Sequence, residues 1–473
     1  IEGRRGPGGA CLQPQEDVAA FLERNGTTLK GAEAFVICLL HSYADGAEEL
    51  EIARHLAETY PHTPITCSHI ISPTFREYER LTTAAVSAYL APIMGNYLTH
   101  LETKLQPRTE GAVSPSLHIM GSSGGLLSVS EAAQAPVHTV LSGPAGGVRG
   151  AWTVGQRTQR SRLLTLDMGG TSTDVSVVLE DLVPRDVGTI DALPIRVPLL
   201  PIETVGAGGG SIAHLDEGGR LRVGPESAGA LPGPACYGRT AEIPQPTVTD
   251  ANVVLGRIPN LLGGTFRLDL ERARKAFLPL AERIGATVEE TALAVIEIAE
   301  ANMARACKRV TTEQGVDPRT LTLVAFGGAG GLHACALADA LGCKDVLFPA
   351  EPGVLSAEGI AGACREVHEA RTVLIREDEW SDEHINSMCS TLDVRLNHRL
   401  RPEGKTRFLY DVRYTGQSFT LAVSTEDTPD IKTLRSTFES VHQTRYGYTL
   451  DPDHPIELVS IRARKRELEP KHF

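Results

Sequence analysis

Residues 163–178 read LLTLDMGGTSTDVSVV. An apolar, β-rich run ends in an acid, Asp167. Gly169 and Gly170 follow, then the hydroxyls of Thr171, Ser172 and Thr173, a second acid, Asp174, and another β-rich run. Two short strands joined by a Gly- and Ser/Thr-rich turn are the expected local structure. Gly169 and Gly170 let the backbone turn tightly and come close to an anion. Successive N–H groups in such a turn form a concave anion site. The hydroxyls add donors, and Asp167 suits a magnesium ion, held directly or through water. The competing reading is an ordinary hairpin turn. Two acids bracketing the loop and strands on both sides favour the phosphate-binding one.

Outward from the hairpin the chain alternates strands and helices. Residues 200–256 crowd glycine and proline into GAGGGS (206–211), GPESAG (224–229) and PGPACYG (232–238), followed by TVTDAN (247–252). Glu226, Tyr237, Thr249 and Asp250 are spaced through apolar strands there, which predicts loops lining a site rather than a flexible linker. Thr287 and Glu290 form a capping box that opens a long helix, closed beyond by Gly315. A strand over Leu321–Phe326, the loop GGAGG (327–331), a helix over Leu332–Leu341 and a strand over Asp345–Phe348 make a β-loop-α-β unit. Its glycines stand at the strand's C-terminal end, where α/β sheets bind ligands; a tight packing turn is the alternative there.

Upstream, residues 1–15 are Gly- and Pro-rich and are expected to be poorly ordered. Residues 16–105 read as a β/α layered unit. It has helices at Glu16–Asn25 and Ala47–Thr59, strands at Ala34–His41 and Ile65–Ile70, and a long helix from about Arg76. In that helix Leu81, Ala85, Ala88, Tyr89, Tyr97, Leu101 and Leu105 have the spacing of one buried face. A linker is expected near 106–116. Ser128 and Glu131 form a capping box. Beyond Cys364 the pattern changes to that of a separate α+β domain. Tyr410, Val412 and Tyr414 share one strand face, a helix runs near Thr433–Arg445, and a last strand covers Ile456–Arg462. The implied domains are 1–115, 116–364 and 365–473.

The 473 residues carry a net charge of −13, which argues against a nucleic-acid or anionic-membrane surface. The cluster Arg462, Arg464, Lys465, Arg466 is too small to reverse that. No apolar run is long enough to span a membrane, and the N-terminus lacks a signal peptide's apolar core. Nine cysteines without a CxxC pair read as isolated buried thiols, Cys38 and Cys335 among them. This is the pattern of a reducing cytoplasm without a structural zinc site. Cys236 lacks an inferable His–Asp partner and is read as structural. His333, His41 and His69 are read as satisfied histidines rather than site residues.

Two glycine loops on different strand ends, one with acids and hydroxyls and one with only small residues, resemble the ATP cleft of the actin, Hsp70 and sugar-kinase superfamily. More specifically, the sequence resembles the hydantoinase A/5-oxoprolinase family. The resemblance covers nearly the whole chain. It is carried by HSY (41–43), SPTFREYER (72–80), SSGGLL (122–127), VLSGPAGGV (140–148), LDMGGTSTD (166–174), TVGAGGGSI (204–212), LRVGPESAGALPGPACYG (221–238), TVTDAN (247–252), ANMARA (301–306), VAFGGAGGLHA (324–334) and GVLSAEG (353–359). It implies an α/β, two-lobed actin/Hsp70/sugar-kinase-like nucleotide-binding core with an added C-terminal α+β domain. It also implies an enzyme that uses ATP and Mg²⁺ to phosphorylate the amide oxygen of a hydantoin-like or 5-oxoproline ring before hydrolysis. A ketone-carboxylase subunit is the alternative within the family.

On this resemblance Asp167 organises Mg²⁺, and Gly169, Gly170, Thr171, Ser172 and Thr173 bind phosphate. Gly206, Gly208, Gly209, Gly210 and Ser211 complete the cleft floor, and Gly327, Gly328, Ala329 and Gly330 face the adenosine. Asp174 either binds the metal through water or braces the hairpin. The expected partners are a small cyclic amide and a hydantoinase B-type subunit, in a homo- or hetero-oligomer.

The sequence departs from the family in two places. Relatives begin with a second loop of the DxGGTxTD type, and nothing before Asp167 resembles one. Residues 1–115 are therefore read as the remainder of an N-terminal lobe, and the isolated chain is expected to bind ATP weakly. A catalytically incompetent nucleotide-binding or assembly module is the third reading. Gly331 stands where proline is common.

Overall fold

The structure, a computed structural model, describes residues 1–7, 9–105, 116–190, 192–400, 404, 406–425 and 427–467. The expected linker lies, apart from Ser116, outside the described residues. The chain forms two compact units, one of 1–142, 184–199 and 363–473, the other of 143–183 and 200–362. This division interleaves the three consecutive segments expected from the sequence.

The second unit is built on a five-stranded mixed sheet in the order Ile202–Val205, Thr173–Leu179, Arg162–Met168, Thr322–Phe326, Asp345–Leu347. The first three strands are antiparallel and the last two run parallel to Arg162–Met168. The parallel pair is joined through the helix Gly330–Leu341, the expected β-loop-α-β unit. The helix Val288–Glu313 starts at the expected box: Thr287 Oγ1 accepts from the Glu290 N–H at 3.2 Å, and Glu290 Oε2 accepts from the Thr287 N–H at 2.9 Å. Such a cap contributes about 1 kcal/mol. Its inner face, with Ala299, Met303 and Cys307, shares one core with Leu164, Leu166, Met168 and Val175 of the hairpin and with Phe277. Each such large side chain, fully buried, contributes about 1.5–3 kcal/mol. The glycine-rich segment 200–256 is ordered: a hairpin of Ser211–Leu215 with Leu221–Ser227, then the helix Val248–Val254, every residue of which is buried.

In the first unit Glu366–Arg376, Ile456–Arg466, Thr406–Tyr414 and Leu421–Ser424 form an antiparallel sheet. Tyr410, Val412 and Tyr414 are fully buried on one face, as the alternation requires. The helix Ile431–Tyr446 was expected, and a second, Asp382–Arg399, packs on the same core. This α+β layer is not separate from the N-terminal residues. Leu126 N–H donates to Cys364 O at 2.9 Å, and Arg399 pairs with Glu131 at 2.9 Å. Three members of the basic cluster of the last strand are spent within the α+β layer: Arg462 pairs with Asp411 and Arg466 with Glu366 in the sheet, and Lys465 donates to Asn397 of the helix Asp382–Arg399.

Several local expectations are corrected. Residues 4–5 pair with 11–13, and Arg5 bridges Asp45 and Glu48 at 2.8 and 3.0 Å, so the N-terminus is tied down. The strand at Ile65 ends at Cys67 and turns into the short helix Ser68–Ile71. The helix Glu77–Leu105 buries Arg80, Thr83, Ala84, Ser87, Ala88, Ala91 and Leu98, whereas Leu81, Tyr89 and Tyr97 face solvent. Small residues let that face approach closely, and the bulky apolar stripe is left outside. Arg80, fully buried, donates to Ser68 Oγ at 3.0 Å and to Thr74 O at 3.2 Å. All nine cysteines are free, but Cys335 is exposed and Cys38 half-buried. No helix among the described residues is long and apolar enough to cross a membrane.

Candidate functional site: a phosphate-type hairpin with an unneutralised acid pair

The hairpin strands pair with Asp167 opposite Asp174 and Met168 opposite Thr173, leaving Gly169–Ser172 as the turn. Gly169 N–H donates to Ser172 O at 3.0 Å and closes it. Among the described residues the N–H groups of Gly170, Thr171 and Ser172 have no acceptor. Gly170 and Thr171 are exposed. Neither turn glycine takes a left-handed conformation, so the tight turn is not what requires them. A Cβ on Gly170 would meet nothing within 4 Å, and one on Gly169 only Ser172 O at 3.9 Å. The glycines keep the surface of the turn flat and open, with three donors on it, which suits a bound anion.

The loop 206–211 lies under this turn. Gly209 and Gly210 donate to Gly169 O and Gly170 O at 3.0 and 2.6 Å, and Gly208 donates to Ser211 Oγ at 2.9 Å. A Cβ on Gly208 would stand 2.5 Å from the Thr171 backbone, and one on Gly206 3.3 Å from Pro225. The expected ligand role of this loop is therefore corrected at residues 208–211: Gly209 and Gly210 spend their N–H groups on the turn, and Gly208 and Ser211 theirs within the loop. Ser211 is fully buried as a staple within the loop. Thr173 is corrected likewise. Its buried hydroxyl donates to Ala207 O and cannot reach a ligand. Thr249, expected in a loop lining a site, donates from N–H and hydroxyl to Gly209 O at 2.7 and 2.8 Å. Asp250 accepts from the N–H groups of Ala235 and Cys236, at 3.1 and 2.8 Å, and from Thr247, so it is a buried structural acid. Glu226 is exposed. Burial beside Asp250 pushes the Cys236 thiol far up, leaving it no nucleophile.

The loop 327–330 stands beside the hairpin because Phe326 and Asp167 are register partners on adjacent parallel strands. Ala329 N–H donates to Met168 O at 3.0 Å, and Gly327, at φ 78°, lies so close that a Cβ would be 2.4 Å from Asp167 Oδ1. Gly328 is exposed with open space around it, whereas Gly330 is buried. His333 is fully buried with Nδ1 3.0 Å from Glu300. In the other unit His69 is held by Glu49 at 2.7 Å, and His41 stands 3.7 Å from Glu77.

Asp167 is the electrostatic centre. Burial, and then the facing Asp174, push its carboxyl up to about 6, against a single Ser356 hydroxyl donor at 3.4 Å. Burial also raises Asp174, partly offset by the Thr204 hydroxyl at 2.5 Å. Asp174 thus braces the hairpin to the neighbouring strand while facing Asp167. Among the described residues no arginine or lysine offsets either charge. Two oxygen-donor carboxylates without a counter-ion fit a hard divalent cation completed by water. By contrast, Glu49, Cys67 and His69 in the other unit lie close enough to share a metal but do not fit one. Glu49 already accepts from Ser68, Leu39 and His69, and burial pushes the Cys67 thiol up to about 12.

The raised Asp167 has a sign. The folded state holds its proton between pH 3.8 and about 6, where the unfolded chain does not. Its contribution to stability is therefore greatest in acid and falls as pH rises through that window. The difference between the ordinary and the raised value corresponds to about 3 kcal/mol at pH 7. Asp167→Asn is expected to raise the unfolding midpoint at pH 7–8 and to leave it unchanged at pH 4, measured by denaturant titration. Gly170→Ala is expected to leave the midpoint unchanged while lowering Mg-ATP affinity by about tenfold or more, since its methyl would occupy the anion's place.

The family model for hydantoinase/oxoprolinase matches residues 80–368. The chain belongs to the hydantoinase/oxoprolinase family. It is 33% identical to caprolactamase subunit alpha of Pseudomonas jessenii over 481 residues, covering 98% of this chain and 68% of that one. It is 32% identical to 5-oxoprolinase 1 of Arabidopsis thaliana, covering 92% of this chain and 36% of that one. The crystal structure of the ATP-dependent caprolactamase superposes with a TM-score of 0.84 at 30% identity, over 99% of this chain and 69% of the other. Nucleotide-free acetone carboxylase, an enzyme of ATP-dependent acetone carboxylation, superposes at 0.73 and 26% identity, over the same shares. The chain thus spans about two thirds of the caprolactamase subunit and about a third of the plant 5-oxoprolinase. The hydantoinase/oxoprolinase family contains ATP-dependent hydrolysis of cyclic amides, and the hairpin with its acid pair lies inside the matched segment.

Proposed function

We propose that the chain carries the nucleotide-phosphate site of an ATP-dependent cyclic-amide hydrolase of the hydantoinase/5-oxoprolinase type. The observation that carries this is the turn 169–172, with three N–H donors that find no acceptor among the described residues, beside a carboxylate pair that no described arginine or lysine offsets. Its sheet is then the phosphate-carrying lobe of an actin/Hsp70/sugar-kinase-like core. Asp167, with Asp174, holds Mg²⁺; the N–H groups of Gly170 to Ser172 take phosphate oxygens; Gly327 to Gly330 face the adenosine. Bound Mg²⁺ neutralises charge on the phosphates. An unstrained amide carbonyl is a poor electrophile. Its oxygen attacks the γ-phosphorus, the bond to the bridging oxygen breaks and its electron pair leaves with ADP. Water then adds to the activated carbon and the C–N bond opens, its electron pair leaving on the protonated amine, to give an acyl phosphate that a second water hydrolyses to carboxylate and phosphate. The chain's residues position and stabilise charge in the first step, the dominant work in phosphoryl transfer. A B-type partner subunit in a cytoplasmic assembly supplies the hydrolytic step, a reading supported by the naming of the bacterial relative as one subunit.

The superposition on acetone carboxylase supports a second reading, activation of a ketone by the same phosphoryl transfer. ADP release is the test, measured with 5-oxoproline, hydantoin and caprolactam, and with ketone plus bicarbonate, each with and without a B-type partner. Stimulation by a ring amide is expected. Stimulation by ketone and bicarbonate alone would replace the first reading with the second.

A further inference from the structure

The helix Glu77–Leu105 buries its small-residue face, where Leu98 shares a core with Val129 and Ala132. Its outer face is apolar. Tyr78, Leu81, Tyr89, Ile93 and Tyr97 are 62%, 43%, 76%, 62% and 59% exposed, and exposed Ala85 stands between Leu81 and Tyr89. From Leu81 to Tyr97 the stripe repeats every four residues, which makes one continuous ridge along the helix. The outer face of a solvated helix normally carries charge. Residues 81–99 contain no Asp, Glu, Lys, Arg or His. The ridge is thus an uncharged strip on a chain whose net charge is −13.

What covers such a strip is decided by charge, shape and area. A helix that lies on a membrane flanks its apolar stripe with Lys and Arg. Between Tyr78 and Thr99 the sole basic residue is Arg80, and it is fully buried. A charged partner surface would find no counterpart on the strip. Two copies of this chain repel one another overall, and least where neither carries charge. The ridge also fits itself. A two-fold axis midway between Ala85 and Tyr89 brings the Tyr89 ring of each copy to the notch at Ala85 of the other. The same axis sets Leu81 against Ile93 and brings Tyr97 near Tyr78. Every such pairing is reciprocal, as a contact between identical surfaces requires. The exposed parts of the five bulky side chains amount to about 600 Å² on each copy, so that a pair buries about 1,200 Å², the lower end of the range for stable interfaces.

We propose that this ridge is the contact through which two copies of the chain pair, helix antiparallel to helix, with Tyr89 of each seated over Ala85 of the other. The proposal goes beyond the nucleotide-site reading and does not depend on it. Sedimentation equilibrium of the whole chain tests it.

A reversible monomer–dimer equilibrium with a Kd of about micromolar order is expected from an interface of this size. Tyr89→Glu is expected to weaken pairing by about a hundredfold or more, because it places two like charges at the centre of the contact. The unfolding midpoint, compared where both proteins are monomeric, and the Mg-ATP affinity are expected to stay unchanged. Leu81→Glu and Ile93→Arg are each expected to weaken pairing by about tenfold or more. The double variant is expected to recover it, since each glutamate then faces the arginine of the other copy. A chain that stays monomeric to about 100 µM, far above the expected Kd, overturns the proposal. So does a dimer indifferent to Tyr89→Glu, or a double variant that pairs no better than the weaker single one. Co-sedimentation of the chain with neutral phosphatidylcholine vesicles, lost in Tyr89→Glu, would give the face to a membrane and overturn it too.

Discussion

Asp167→Ala is expected to abolish ADP release driven by a cyclic amide, lowering the rate by on the order of 10²–10³ or more, while the chain remains folded. The carboxylate sits where the turn meets the loop at Gly327, faces Asp174 across the ladder, and has one hydroxyl donor, Ser356. A residue placed for stability alone would be paired with a cation or several N–H groups, as Glu49 and Asp250 are. Asp167 instead weakens the apo fold, its carboxyl pushed up to about 6. A stability cost concentrated at one acid is the signature of a group kept for a ligand. The Ser356→Ala variant serves as a graded control, since it removes only the donor. A variant of Asp167 with undiminished substrate-driven ADP release would remove this residue from the reaction.

Gly327→Ala is expected to cost about 2–4 kcal/mol and to disable the site with it. Two independent penalties meet there. The residue is left-handed, at φ 78°, and its methyl would stand 2.4 Å from Asp167 Oδ1 and 2.6 Å from Met168 O. The Met168 carbonyl cannot yield, because Met168 is fully buried and its oxygen accepts from Ala329, and the Asp167 carboxylate would be turned out of its place. The expected result is a lowered denaturant midpoint and lost nucleotide affinity together. Gly328→Ala, one residue on, has open space and is expected to leave the midpoint where it is. Equal midpoints for the two variants would contradict the close packing of the loop on Asp167.

The hairpin, the capped helix at Thr287 and the β-loop-α-β unit were legible because their signals are local: alternation, a capping box, glycine at a strand end. The direction of a side chain was not. Thr173 belongs to the same Gly/Ser/Thr run as Thr171 and Ser211 to the run at 206–211, yet both turn inward, since strand alternation and the closing of the 206–211 loop decide their facing. Segment 200–256 reads as lining loops because Glu226, Tyr237, Thr249 and Asp250 are spaced among its glycines and apolar strands. Those glycines are instead required by backbone packed on backbone, as at Gly208 against Thr171. The long helix misled for a related reason. Its buried face is made of Thr, Ser and Ala around Arg80, and hydropathy spacing points to the bulky stripe on the other side. Ser356 was visible only as part of GVLSAEG, with nothing local to tie it to Asp167, 189 positions away.

The central claim is that the turn 169–172 binds nucleotide phosphate through its own backbone. Isothermal titration of Mg-ATP into the folded chain, run in parallel with Gly170→Ala and Asp167→Ala, tests it most directly. The account predicts saturable binding by the unaltered chain, weakened about tenfold or more by each substitution, with Gly170→Ala as stable as the parent. Binding of equal affinity in all three proteins would contradict it.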